Sequence, residues 1–449
     1  MGGGLSRARF PNIPRRVSGY NLNELLPEND FNVARALVGT EGTCATTLEA
    51  TLRLVASPPV RTLVVLGYPD VSRGAEHTAA IMAHLPTGLE GFDHHLIEDI
   101  SKKHLLVENR ALLPDGGGWL LVEFGGESRA EANDKAHTLM DELRRGGGAP
   151  TMRLFDDPAQ QKMIWEVRES GLGGTAFVPG IGMTWPGWED SATPPAHFGA
   201  YLRDLRQLMD RFGYRGAFYG HFGQACLHTR LDFDLKTEQG IATFRHFMEE
   251  AADLVVRCGG SLSGEHGDGQ SRAELLPKMY GAELVEAFHA FKAVWDPDNK
   301  MNPGKIVDPY RMDQNLRLGT DYLPARVATH FQFPEDDGDF AAATLRCVGV
   351  GKCRRGDGGI MCPSYMVTRE EADSTRGRAH LLWEMLRGGI TSGPWRNEQV
   401  KDALDLCLAC KGCKGECPVN VDMATYKAEF LAHYYAGRLR PRTDRKSVV

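Results

Sequence analysis

Long apolar runs are what this 449-residue chain most plainly lacks. No stretch of about 18 apolar residues occurs, so no helical membrane span is expected, and the first residues carry no apolar segment of the secretory-leader kind. Positive charge is also short: 52 Lys and Arg stand against 59 Asp and Glu, for a formal charge of -7 and a pI near 6.1. That balance leaves no broad basic surface for nucleic acid. The basic stretch from Arg438 to Lys446 reads as a solvated end. The cysteine spacing does not suggest a disulfide framework either. Seven of the ten cysteines fall into two short runs, which suits a reducing compartment. The expected location is cytoplasmic, with a peripheral position at the inner membrane face as the alternative. Cys44, Cys226 and Cys258 are expected to stay thiols. Cys258 closes an apolar helical stripe of Phe244, Phe247, Met248, Ala251, Leu254 and Val255.

The strongest signal is Cys407, Cys410, Cys413 and Cys417 followed by Pro418, with gaps of two, two and three residues. This is the ferredoxin spacing for a [4Fe-4S] cluster, in which the cysteine before proline serves a different cluster. A structural zinc site competes, but zinc sites usually pair two Cys-x2-Cys knuckles. If Cys417 is exchanged, the first cluster needs a thiolate from elsewhere, and Cys362, followed by Pro363, is the candidate. Around it lies a degraded copy of the same run: Cys347 and Cys353, with Val350 where a second cysteine would stand. The expectation is one complete cluster on Cys362, Cys407, Cys410 and Cys413. A second site on Cys347, Cys353 and Cys417 could hold a three-iron cluster, a cluster with a non-cysteine ligand, or nothing.

The length allows two or three domains. Between Arg61 and Asp308 strands and helices alternate: Thr62 to Gly67 and Trp119 to Phe124 read as strands, and Ala75 to Leu85 and Ala130 to Arg145 as helices. An apolar stripe from Phe198 to Phe212 marks another helix, stopped by Gly213. With an antiparallel return, this order suggests a ferredoxin-like α+β sandwich. Ala217 to Phe222 and Ala225 to Leu235 read as a hairpin. In its second strand, apolar residues alternate with His228, Arg230, Asp232 and Asp234. The turn can bring His221 and His228 together. Glu265 and His266 lie among glycines in Gly264 to Gly269, which suits a tight loop facing a ligand. Two histidines and a carboxylate form a divalent metal site when they converge, leaving His266 as a base. A lone strand histidine is more often simply hydrogen-bonded structure. Further upstream, Gly39-Thr40-Glu41-Gly42-Thr43 would let backbone approach a ligand, although a tight turn satisfies the spacing equally. Residues 309–340 carry Pro324, Pro334 and an acidic run and read as a linker. Glu370 to Leu386 and Met423 to Tyr435 read as helices.

Ser18-Gly19-Tyr20, Gly39 to Thr43, Gly220-His221 through His228, Gly264 to Gly269 and Asn302 to Lys305 together resemble the FAD-linked 2-hydroxyacid dehydrogenases. That group includes D-2-hydroxyglutarate dehydrogenase, D-lactate dehydrogenase and glycolate oxidase. The end of the chain, with Ser374 to Arg378 between the cysteine runs, resembles the iron-sulfur half of fused members.

The resemblance implies four parts: residues 1–57, the end of a FAD-binding domain; 58–308, an α+β substrate and metal domain; 309–340, a linker; and 341–449, an α-helical ferredoxin-type domain. It implies that Gly39, Thr40, Glu41, Gly42, Thr43 and Asn302 serve FAD. It further implies that His221, His228 and Glu265 hold a divalent ion, zinc or manganese. His266 would then be the base and Arg168 would grip a carboxylate, a role suited to a planar guanidinium. Arg230, near the metal face, is a candidate selector among substrates, although a solvated or ion-paired arginine is the commoner case. The implied reaction oxidises a D-2-hydroxyacid of the 2-hydroxyglutarate or lactate class. Electrons would pass to an iron-sulfur cluster and on to a quinone or a redox protein, with homo-oligomerisation open. Two departures matter. Gln224-Ala225 replaces an expected Asp-Gly in the hairpin turn, and the pyrophosphate loop expected upstream of Gly39 is not in the sequence. The expectation is therefore a chain truncated at the front and, by its aperiodic ending, at the back. The alternative role is an electron-transfer subunit or fragment that needs a separate FAD-binding half.

Overall fold

The structure is a computed structural model and describes residue 4 and residues 8–146, 148–324, 327–356, 358–388 and 395–441. Most of the glycine-rich start and residues 442–449 of the basic tail lie outside this set. The chain forms two compact units, Met1–Gly171 with Pro179–Thr320, and Leu172–Val178 with Asp321–Val449.

The first unit is built on one antiparallel sheet of seven strands: β1 (Val60–Tyr68), β2 (Gly88–Asp93), β3 (Gly118–Gly126), β4 (Thr151–Phe155), β5 (Ser191–Ala192), β6 (Gly216–His221) and β7 (Cys226–Leu231), in the order β4-β1-β3-β2-β6-β7-β5. The central strands are covered on both faces, which is why β1 and β3 read as continuous apolar runs. Because side chains alternate along a strand, Val64, Leu66, Leu120 and Val122 enter one core. Leu63, Val65, Trp119 and Leu121 enter the other. The first core is closed by helices Arg129–Arg145, Phe198–Phe212 and Glu238–Arg257, the second by His94–Lys102 and Pro158–Glu169.

Several elements differ in detail from the sequence reading. The helix expected over Ala75 to Leu85 starts earlier and is broken into Val71–Glu76 and Thr78–Met82, because Asp70 caps the first piece by accepting from the Arg73 N–H at 3.0 Å. β7 ends at Leu231 rather than Leu235. Asp234 accepts the Lys236 and Thr237 N–H groups and turns the chain into the following helix. β2 was not foreseen, since Gly88 and Gly91 interrupt its apolar pattern. Gly91 is required there, because a Cβ would lie 2.6 Å from the Phe222 ring.

The second unit is helical. Phe340–Leu345, Pro363–Thr368, Thr375–Arg387, Glu398–Asp405, Gly412–Glu416 and Met423–Tyr434 surround a core that includes Leu382, Leu386, Val400, Tyr426 and Phe430. The helix expected from Glu370 begins at Thr375, where Ser374 accepts the Gly377 N–H at 2.9 Å. Glu429, fully buried, accepts the backbone N–H groups of His330 and Phe331 and so ties that segment to the last helix. No described helix is long and apolar enough to cross a membrane.

Candidate active site and cysteine cavities

In the first unit, the polar site grows from the β6–β7 hairpin. Tyr219 pairs with His228 and His221 with Cys226 in register, which puts His221 and His228 on the same face with ring centroids 5.1 Å apart. The turn is a single 3-10 turn, Phe222–Gln224, followed by Ala225 at φ 51°. An alanine in the left-handed region carries a modest strain that the expected glycine would avoid.

The loop Gly264–Gly269 meets this face because buried Asp190 organises it. The Asp190 carboxylate accepts the N–H groups of Gly264, Glu265 and His266, the last at 2.7 Å, together with the Ser263 hydroxyl. Burial pushes the Asp190 carboxyl up, but the Ser263 and backbone donors outweigh it and hold the group below its usual range. The approach is close: a Cβ on Gly264 would stand 2.7 Å from the Cys226 sulfur.

The result is a cluster around one oxygen. Glu265 Oε1 lies 3.1 Å from His221 Nε2, 3.1 Å from His228 Nε2 and 3.5 Å from His266 Nε2. The His228 hydrogen bond, with the nearby His221 and Arg15, lowers Glu265 to about 2, so it is an anion at any working pH. Donor atoms of Asp190, His228, Glu265 and His266 also lie within 4.8 Å of one another. Outside this ring stand two carboxylates. Glu90 Oε1 is 2.8 Å from His221 Nδ1, and Glu189 Oε1 is 3.1 Å from His266 Nδ1. The Glu189 hydrogen bond raises the His266 pKa.

Arg168 donates from Nε and Nη2 to Glu90 Oε2, at 3.0 and 2.8 Å. It therefore reaches the cluster through Glu90. Arg230 is buried and donates to the hydroxyl and carbonyl of Thr184, with Glu189 among the charges that act on it. Arg15, not singled out from sequence, is ion-paired with Glu265. Glu90, Asp190 and Glu189 were missed too. They lie on β2 and on the segment before β5, at distances along the chain that carry no periodic signal.

The Gly39 to Thr43 turn is clamped to the same loop. Glu41 Oε1 accepts the Asp268 and Gly269 N–H groups at 2.8 and 3.1 Å, and Asn302 Nδ2 donates to the Glu41 carbonyl at 2.7 Å. Gly267, at φ 92°, has no room for a Cβ, which would meet Glu41 Oε1 at 2.4 Å. The Thr40 hydroxyl donates to the Leu37 carbonyl, and the Thr43 hydroxyl bonds the Thr40 carbonyl and the Tyr20 hydroxyl. Gly39 and Gly42 both adopt positive φ, and space beside Gly42 is open. The turn thus leaves bare backbone open at Gly42.

In the second unit the cysteines divide between two cavities of similar size. One is lined by Cys362, Cys407, Cys410 and Cys413. The other is lined by Cys347, Cys353 and Cys417. Met361 and Thr375 line both. Burial pushes Cys413 up to about 12 and Cys347 up to about 11. Burial also acts on Cys362, but the Ser364 hydroxyl and the Arg378 guanidinium outweigh it and lower that thiol. Arg378, fully buried, donates to the Cys362 sulfur at 3.5 Å. Thiol-lined cavities in low dielectric, each with a guanidinium close by, suit a group that binds thiolates.

Comparison with known proteins gives these sites relatives. Residues 57–306 match the family of FAD linked oxidases, C-terminal domain, and residues 343–421 match the 4Fe-4S dicluster domain. D-2-hydroxyglutarate dehydrogenase of Pseudomonas putida is 30% identical over 480 residues, covering 98% of this chain and 47% of the relative. The enzyme of the same name from Escherichia coli is 28% identical, with 97% and 47% covered. Glycolate oxidase subunit GlcD of Escherichia coli is 27% identical over 64% of this chain and 56% of the relative. The chain spans about half the length of these curated relatives.

Proposed function

Since the chain belongs to the FAD-linked oxidases by its C-terminal domain and carries a 4Fe-4S dicluster domain, we propose that it oxidises a D-2-hydroxyacid, of the 2-hydroxyglutarate or lactate class, to the 2-oxoacid. The observation that carries this reading is the meeting of His221, His228 and His266 on Glu265. The donor set, imidazole nitrogens around an anionic carboxylate, fits a divalent ion such as zinc or manganese, with His221, His228 and Glu265 as its ligands. Glu90 on His221 Nδ1 is the outer carboxylate that such a histidine needs. Where these groups are bound, FAD supplies a hydride acceptor, a divalent ion supplies Lewis acidity and iron-sulfur clusters carry single electrons.

The chain's own residues have the following roles in this proposal. His266 takes the substrate hydroxyl proton at Nε2, because Glu189 holds Nδ1 and turns the other nitrogen toward Glu265. The Glu189 contact also makes His266 a stronger base. Arg168, held by Glu90, and Arg15, beside Glu265, supply positive charge for the substrate carboxylate. Gly39 to Thr43 and Asn302 present the backbone edge that meets FAD. Cys362, Cys407, Cys410 and Cys413 hold a [4Fe-4S] cluster that drains the site toward a quinone or a redox protein.

Anaerobic dye reduction by the chain supplied with FAD and a panel of D-2-hydroxyacids tests the proposal. His266→Ala should abolish turnover while flavin and iron absorbance persist, and unchanged turnover would remove His266 from its role. Iron absorbance in a chain that takes up no FAD and reduces no dye would favour the electron-transfer role instead.

A further inference from the structure

The two thiol-lined cavities differ in one respect that their shared size does not predict. Four cysteine sulfurs line the first, and among the described residues only three line the second. The missing position can be located. Cys347 and Cys353 bracket the loop of the second cavity, and Val350, three positions from each, also lines it. No histidine or carboxylate lines that cavity among the described residues. The remaining functional groups on its wall are the Thr375 hydroxyl, the Met361 thioether, and the cations of Lys352 and Arg376. A neutral hydroxyl or thioether is a poor substitute for thiolate on iron. The cations offset thiolate charge and do not ligate.

Resting on the iron-sulfur reading above, we propose that the second cavity is a three-thiolate site, Cys347, Cys353 and Cys417, whose cluster keeps three irons because no residue of this chain holds the fourth. The chain would then carry two unlike centres separated by a wall to which Met361 and Thr375 contribute. One is a four-iron cluster with every corner fixed, the other a cluster open at one corner. If a fourth iron enters the open corner under reducing conditions, its loss is balanced as [4Fe-4S]2+ giving [3Fe-4S]+, one ferrous ion and one electron. That electron goes to an added oxidant such as ferricyanide.

The test uses the full chain, purified anaerobically and oxidised with ferricyanide. The expected result is about seven irons per chain and the near-isotropic spin-half EPR signal of an oxidised three-iron cluster, where two four-thiolate clusters would give about eight irons and no such signal. Val350→Cys should raise the count to about eight and abolish the signal. Should that variant not fold, Cys353→Ser serves the same purpose. It should remove the three-iron signal and leave the reduced-state signal of the four-iron cluster, and Cys410→Ser should do the reverse. About eight tightly held irons without the oxidised signal would show a fourth ligand and overturn the proposal. About four irons would show that the second cavity holds no cluster, and overturn it as well. A chain with no iron and no charge-transfer absorbance would instead refute the iron-sulfur reading itself.

Discussion

The two units build their sites by opposite means. The histidine and glutamate cluster is balanced by the protein itself: Glu90 holds His221, Glu189 holds His266, Arg15 pairs with Glu265, and Glu265 in turn holds His228. The cysteine cavities are held instead by burial. Cys353, Cys362, Cys413 and Cys417 belong to the apolar core of their unit, and burial makes Cys353 and Cys413, and Cys347 beside Cys353 in its cavity, reluctant to ionise. A site satisfied by its own hydrogen bonds can persist empty. A core made partly of metal-binding thiols needs the metal to be a core, because binding free energy at such a site is folding free energy.

The largest expected effect follows from that contrast. Anaerobic removal of iron with a chelator should unfold much of 321–449 while leaving 60–308 intact. Limited proteolysis followed by mass spectrometry would read this as a surviving fragment containing the seven-stranded sheet. If both units resist protease equally after iron removal, the cysteine cavities are held by packing alone and the contrast fails. The complementary experiment, His228→Ala, should leave proteolysis of both units unchanged, since the sheet and its two cores do not depend on the cluster.

A smaller effect tests the claim that the first site is self-balanced. Glu90 and Glu189 touch no proposed substrate atom, yet each fixes the orientation of one imidazole. Glu90→Gln should lower turnover about 10–100-fold, the usual cost of losing a carboxylate behind a metal-binding histidine. It should also loosen Arg168, whose Nε and Nη2 both rest on that carboxylate. Metal content measured alongside turnover separates the roles: a loss of bound divalent ion points to His221, while a raised KM at full metal content points to Arg168.

How far these sites were legible in sequence follows from the same difference. The cysteines were readable because cluster ligands obey short spacings, and each cavity combines the cysteine before proline of one run with the remaining cysteines of the other. His221 and His228 were readable because a hairpin converts alternation into proximity. Glu90, Asp190 and Glu189 were not, since each reaches the site across the sheet or from an irregular segment, and no local pattern marks an acid that serves residues far along the chain. The fold behaved likewise. β1, β3, the β6–β7 hairpin and the long amphipathic helices follow from periodicity, whereas β2 and β5 exist because neighbouring strands pair with them.

The smallest expected effect concerns Asp268, at the end of the glycine loop. It is fully buried, accepting from Gly19 N–H at 2.7 Å and the Ser18 hydroxyl at 2.9 Å. Burial raises its pKa to about 6, against the pull of those donors and of Arg272, with Glu41 nearby pushing the same way as burial. A carboxyl whose pKa rises on folding binds its proton more tightly in the native state. Its contribution to stability is therefore full below the ordinary carboxylate range and is lost as pH climbs through about 6. Asp268→Asn carries a fixed cost at every pH, because its amide cannot accept from both donors, but it removes this slope. The thermal midpoint of the variant relative to the parent should therefore improve by a few degrees between about pH 4.5 and about pH 7, corresponding to roughly 1–3 kcal/mol. A difference that stays constant across that range would mean Asp268 titrates normally, and that the Ser18 and Gly19 donors neutralise the cost of its burial.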